Sequence, residues 1–355
     1  MKERIKRLRE KMAEEKLSAL LVTSYENYRY FSGFSGSNCA LVILEDARFA
    51  LTDGRYDIQI RKQAPDFSHV IISRSMHEHI AELIPCGARV GYETHTITDF
   101  MLRNIKSCAE SAEFVPCRDF GEEIRAVKDE SEISYIRRAV RCSDEAFASL
   151  VPQITRGMTE RQAAALLEYE MAKRGSEKAA FNTIAASGLH SALPHAEPMD
   201  EEIADNSLFT LDFGATAGGY CSDITRTLIV GNPARELREL WELVFDVQQK
   251  CIAKIVPGMR ACELDEYQRS LFAAHGMDKY VMHSLGHGVG LAIHEAPTVS
   301  RRSGAVIQKN MIITIEPGLY IENLGGVRIE DSVLVTATGA EVLTQSPHRV
   351  NIELG

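Results

Sequence analysis

Residues 208–230 read LFTLDFGATAGGYCSDITRTLIV, and they place two carboxylates inside otherwise apolar, extended runs. Apolar and β-branched residues on either side of a Gly-rich centre form the pattern of a β-hairpin. The spacing predicts strands over 208–213 and 221–230, with Gly214, Gly218 and Gly219 in the turn. Asp212 and Asp223 then sit where an ion out of water must be paired or must coordinate a metal. Facing each other, they repel unless a cation lies between them. The plainer alternative puts one Asp in the turn and makes the other a cap. A second apolar, Gly-centred hairpin is predicted over 312–335 and carries Glu316 and Glu330. Between the hairpins lies a histidine segment with His283, His287 and His294. Four carboxylates and an imidazole on β-structure suit one or two hard or borderline divalent ions.

Composition sets the outer limits. A chain of 355 residues is too long for one small core, so two domains are expected. Apolar content of 45% and charged content of 25% are those of an ordinary soluble globular protein. A formal net charge of −10 argues against nucleic acid or an anionic membrane as the main partner. No apolar run approaches the ~20 residues of a membrane span. The first residues read as an amphipathic helix without the features of a signal peptide. Eight scattered cysteines show no CxxC or other zinc spacing. They read as buried or free thiols in a reducing compartment, which makes a cytoplasmic location the expectation.

Residues 1–120 alternate helical and extended patterns, so a smaller N-terminal α/β domain is expected there. Its stretch 27–37, rich in Tyr, Ser and Gly, reads as a loop, either structural or bordering a substrate pocket. Its histidines, His69, His77, His79 and His95, read as surface or turn residues. From about 129 the apolar spacing becomes helical. The boundary is expected within 119–128, giving domains 1–120 and 121–355. The second domain repeats itself. Gly157-Met158-Thr159 and Gly258-Met259-Arg260 each open a helical stretch, and they lie 101 residues apart. Gly175 and Gly276 close those stretches at the same offset. His195 precedes His294 by 99 residues, Asp212 precedes Glu316 by 104, and Asp223 precedes Glu330 by 107. Two related halves are therefore expected, with their acidic hairpins facing each other across a pseudo-twofold axis.

Such a ligand set can do hydrolytic chemistry. Two ions about 3.5–4 Å apart can hold a bridging hydroxide and clamp a substrate oxygen. Asp223 and Glu330, one from each half, are the natural bridging carboxylates. Asp212 completes one ion; His287 and Glu316 complete the other. Glu316 is the candidate to accept the water's proton. His195 and His294, left over after ligation, suit oxyanion stabilisation and proton delivery to a leaving nitrogen. Arg328 lies two residues before Glu330 and shares its strand face, so it can hold a carboxylate ligand in place. A surface salt bridge is its alternative. His283 is read as a pocket wall, a support for a neighbouring group, or a satisfied core histidine. His190 and His348 are read as structural. The glycines at 286, 288 and 290 lack the strand and helix of a nucleotide loop and are read as allowing close packing.

The strings SALPHAEP (191–198), LDFGATAGGYCSDITRT (211–227), HSLGHGVGLAIHE (283–295), IEPGLY (315–320) and GVRIED (326–331) together resemble the pita-bread metallopeptidases. That family includes methionine aminopeptidase, aminopeptidase P, prolidase and creatinase. The resemblance implies an α+β fold: a C-terminal pita-bread domain with an internal repeat, preceded by a creatinase-type N-terminal domain. It implies metal ligands Asp212, Asp223, His287, Glu316 and Glu330. His195 and His294 would contact substrate and move protons, and His283 and Arg328 would border the site near the proline. Two manganese ions are implied, with cobalt or zinc as alternatives, and a homodimer is expected. YRYFSGFSGSNCALVI and LTDGRYDIQIRKQAPDF look most like the short bacterial Xaa-Pro aminopeptidases. The leading expectation is therefore a Xaa-Pro aminopeptidase acting on proline-containing peptides, with a prolidase restricted to dipeptides as the alternative. A creatinase-like amidinohydrolase is disfavoured, because those relatives work without metal and need not keep the five ligands. A non-catalytic peptide-binding module on the same fold is the remaining alternative.

Overall fold

The computed structural model describes residues 1–355, which divide into two compact units, Met1–Arg125 and Ala126–Gly355. The first unit alternates α1 (Lys2–Glu14), β1 (Ala19–Val22), α2 (Tyr25–Ser32), β2 (Ala40–Leu44), β3 (Arg48–Thr52), α3 (Asp57–Gln63), β4 (Ser68–Ile71), α4 (Met76–Leu83), β5 (Arg89–Glu93), α5 (Asp99–Cys108) and β6 (Glu113–Cys117). Its six strands form one sheet in the order β4-β3-β2-β1-β5-β6, with parallel and antiparallel pairs. The α2 segment departs from the expected loop. Ser24 caps it by accepting from the Asn27 amide, and Gly33 ends it at φ 82°. A side-chain cap and a left-handed glycine stop are enough to close two turns of helix on an aromatic-rich stretch.

A short α6 (Glu122–Ala126) leads to the second unit, and this unit runs through one element order twice. The first half has α7 (Glu130–Leu150), α8 (Glu160–Lys173), β7 (Ile184–Ser187), β8 (Ser207–Phe213), β9 (Thr216–Ala217), β10 (Tyr220–Cys221) and β11 (Ile224–Val230). The second has α9 (Arg235–Lys254), α10 (Ala261–Ala273), β12 (Gly286–Gly288), β13 (Glu295–Val299), β14 (Ile312–Ile315), β15 (Gly318–Ile321), β16 (Gly325–Arg328) and β17 (Asp331–Val335). β18 (Ala340–Val342) and β19 (Asn351–Ile352) finish the chain. Capping boxes at Asp129–Glu132 and Thr159–Gln162 start the first two of these helices. In each half the long hairpin, β8 with β11 or β14 with β17, carries a smaller one at its tip. The sheets run β19-β11-β8-β7 and β13-β12-β14-β17-β18. Each is backed by its own helix pair: Phe147, Leu167, Phe209 and Leu228 share one core, and Trp241, Leu264, Ile313 and Val333 another. This is the pita-bread architecture. No helix is long and apolar enough to cross a membrane.

The two hairpins are sewn together between β11 and the 328–332 segment. Arg226 donates to Asp331 at 2.8 Å, and both side chains are fully buried. Gln248, Thr344 and His348 surround the same carboxylate at 2.7, 2.6 and 2.7 Å. Burial alone would raise the Asp331 carboxyl; Arg226 and the hydrogen bonds overcome it and hold the group down at about 2. Its ionised form therefore adds stability above the ordinary value of 3.8, lost as pH falls through about 2. Removing one partner of a buried ion pair leaves the other uncompensated. Arg226→Met should cost about 3–5 kcal/mol at pH 7, read from urea midpoints. The gap to the native chain should narrow as pH falls through about 2, where the Asp331 carboxyl becomes protonated in the native chain as well.

Candidate metal centre and active site

Hairpin geometry delivers the acidic side chains to one place. Asp212 lies on β8 opposite Thr225 of β11. The single strand that the spacing predicts over 221–230 is broken at Asp223. This residue lies in the break between β10 and β11, where the chain leaves the tip hairpin for the long one. Glu316 and Glu330 occupy the corresponding breaks after β14 and before β17. His287 comes from β12, the neighbour of β14. A strand break frees a side chain from strict alternation, so ligands from different strands can turn toward one centre.

One cavity of about 600 Å³ is lined by Asp212, Asp223, His287, Glu316 and Glu330, together with His195, His283, His294 and Arg328. Every residue singled out from the sequence as a ligand, proton carrier or support thus borders the same space. Within it, Asp223, His287 and Glu330 each offer a donor atom within 4.8 Å of the others. His190 and His348 lie elsewhere, on Glu160 and Asp331.

Hydrogen bonding shows what this space is built to hold. The Nδ1 of His287 lies 3.0 Å from the Gly288 carbonyl, which can only accept, so Nε2 carries the lone pair. That Nε2 faces Asp223 Oδ2 at 3.5 Å and Glu316 Oε1 at 3.4 Å. Three acceptors turned toward each other need a cation or a proton between them. Asp212 Oδ1 is buried with no hydrogen-bond partner, while Oδ2 accepts from Arg328 at 2.6 Å. The electrostatics agree. Burial, then the charges of Glu330, Asp212 and Glu316, push Asp223 well above the carboxylate range. Burial followed by Glu316 and Asp212 does the same to Glu330. Burial pushes Glu316 up to about 8, with Arg328 opposing and Asp212 adding. Burial and then His294 bring His287 down to about 4, so the ring is neutral and free to ligate. Oxygen donors and one neutral imidazole fit divalent metal.

Three hydroxyls escaped notice in the sequence. Thr225 donates to Glu330 at 2.7 Å, and Thr314 to Glu316 at 3.2 Å. Each lies two positions from a ligand, Thr225 after Asp223 and Thr314 before Glu316, so strand alternation could have found them. Tyr320 links two of the expected supports: Arg328 donates to its hydroxyl at 2.7 Å, and that hydroxyl meets His283 Nε2 at 2.8 Å. The His283 Nδ1 is committed to the Ser284 carbonyl, so Tyr320 donates to Nε2. Burial, then Arg328, hold His283 down at about 4, which keeps it an acceptor. His195 and His294 are exposed on the cavity wall, and the His294 ring approaches His287 at 4.3 Å between centroids.

The geometry can be set beside known proteins. The chain is 38% identical to a Xaa-Pro dipeptidase of Pyrococcus furiosus, over 98% of this chain and 99% of that one. A solved Xaa-Pro dipeptidase from Bacillus anthracis superposes with a TM-score of 0.95 at 36% identity, covering 99% of each chain. An X-Pro aminopeptidase from Thermotoga maritima superposes at 0.87 and 34% identity, covering 95% of this chain and 98% of that one. Residues 4–127 match the creatinase/prolidase N-terminal domain, and residues 134–337 match metallopeptidase family M24. The chain belongs to metallopeptidase family M24.

Proposed function

We propose that the protein is a Xaa-Pro dipeptidase that uses two divalent metal ions, manganese first among them. The observation that carries this reading is the meeting of Asp223, His287 and Glu330 at one centre, with acceptor atoms facing each other. The preference for dipeptides rests on full-length similarity to proteins named Xaa-Pro dipeptidases. This reverses the order expected from the sequence, where the aminopeptidase came first.

In this reading Asp212, Asp223, His287, Glu316 and Glu330 hold the two ions. When bound, the ions supply a Lewis acid for the scissile carbonyl and a more acidic water. The carboxylate of Glu316 accepts the proton of the attacking water. His294 and His195, both on the cavity wall, donate to the carbonyl oxygen as charge develops and pass a proton to the proline nitrogen. Arg328 fixes Asp212 from one side and Tyr320 from the other, and Tyr320 sets the His283 ring. The second unit, Ala126–Gly355, is the catalytic domain in this reading. Eight scattered cysteines without a zinc spacing support a cytoplasmic setting, and the working form is taken as a homodimer.

A specific feature keeps the Xaa-Pro aminopeptidase as a second reading. Arg328 supplies the guanidinium of the cavity wall, and its donors already meet Thr225, Pro194, Tyr320 and Asp212. A dipeptide's terminal carboxylate would have to find its partner among the histidines and the neutral polar groups of the wall, Asn182 and Thr298 among them.

Loading with manganese at a hundredfold excess over its dissociation constant should add about 2.7 kcal/mol of stability. A thermal shift assay on the full chain reads this, and Asp223→Asn or Glu330→Gln should lose most of it. Manganese-loaded protein should cleave Leu-Pro at least about tenfold faster than Leu-Pro-Gly, a difference of roughly 1.4 kcal/mol in the barrier. Equal or faster release of leucine from the tripeptide would put the aminopeptidase first.

A further inference from the structure

One buried ion pair beside the cavity has no part in the chemistry above. Glu295 follows His294 directly, but the two side chains part: His294 is exposed at the cavity while Glu295 turns into the protein. There its carboxylate meets Lys128 Nζ at 2.7 Å, with the side chains 2% and 0% exposed. The ammonium is itself anchored. It donates to the Ala126 carbonyl at 3.2 Å, and the Lys128 amide donates to the Asn310 carbonyl at 2.9 Å. Val127 bridges to Met311 at the start of β14.

The loop that carries His294 is wrapped around this carboxylate. Glu295 pairs with Gly288 across the β12–β13 ladder, just past an irregularity in register. An added Cβ at Gly290 would run into the Glu295 carboxylate, so glycine is what allows the turn to close on it. The Gly290 amide donates to the Ala292 carbonyl at 3.0 Å, and the Gly290 carbonyl accepts from the Cys221 amide at 2.8 Å. Residues 289–294 thus lie between the metal-binding hairpin and a fixed charge pair. The position of the His294 ring follows from the backbone it hangs from.

We propose that Lys128 and Glu295 are positioning residues: their ion pair closes the 288–295 loop and so sets where His294 stands over the cavity. This rests on the catalytic role proposed for His294. A buried charge pair adds little stability over an apolar pair of the same size, so its yield here is geometry. Small misplacement of a proton carrier is costly to rate even when the fold survives.

The test is a double-mutant cycle on the manganese-loaded full chain, with kcat and KM for Leu-Pro hydrolysis and bound manganese measured throughout. Glu295→Gln should lower kcat about tenfold or more, leave KM within about twofold, and leave manganese content unchanged. Placed on His294→Ala, the same change should alter kcat by less than about twofold, because its effect runs through the missing ring. A repeated tenfold loss in the His294→Ala background would overturn the inference and leave the role of His294 standing. Unchanged kcat in His294→Ala alone would remove that role, and the positioning assignment with it. If Glu295→Gln does not fold, Lys128→Met carries the same cycle from the other side. Lys128→Arg, which keeps the charge, should restore kcat to within about threefold; failure of that rescue beside intact folding also counts against the pair.

Discussion

Mutual repulsion among buried carboxylates is the constraint on which the second unit depends. Asp223 and Glu330 are almost wholly buried, and Asp212 and Glu316 border the same space. Their charges cannot all persist there unless cations enter or protons stay. The fold spends its cross-hairpin contacts on keeping these groups together despite that cost. Thr225 of one half holds Glu330 of the other. Ser332 of the second half donates to the Asp223 carbonyl of the first at 2.8 Å. Arg328 reaches back to Asp212.

The duplicated element order explains how a chain arrives at such a centre. A single acidic hairpin with its helix pair can bury an apolar face but exposes its carboxylates at one edge. A second copy facing it covers that edge and doubles the donors. The imidazole comes from the second half alone: β12 bears His287, whereas the equivalent β7 ends in Ser187. The first half instead lends His195 from the segment after β7. The repeat is therefore one of backbone, and the chemistry is shared unequally over it.

Much of this was legible in the sequence because it depends on local pattern. Alternating apolar runs around glycines marked both long hairpins, and the 101-residue offset marked the repeat. The four expected carboxylate ligands are polar intrusions in otherwise apolar sequence, which makes them legible. What was missed depends on distance or on fine local geometry. Lys128 and Glu295 are 167 residues apart; Arg328 is expected from its strand face to hold a ligand carboxylate, but the one it meets, Asp212, lies 116 residues away. No local pattern joins such partners. The displacement of Asp223 into a break was hidden because the residues on both sides of it are good strand formers. The α2 helix was read as a loop because Asn, Tyr and Ser dominate it, although Ser24 and Gly33 were signals for its two ends.

The stitching across β11 also bears on which cation the protein carries. Neutral contacts (Thr227 with the Arg328 backbone, Trp241 with the Thr227 carbonyl, Ser332 with Asp223) accompany the Arg226–Asp331 pair, and none of them needs an ion. The cradle is held open by its own scaffolding rather than drawn shut by its guest. Oxygen donors with one imidazole suit several similar divalent ions, so the donor atoms alone do not select one. Since none of the contacts across β11 runs through the site, a change of ion leaves that stitching in place.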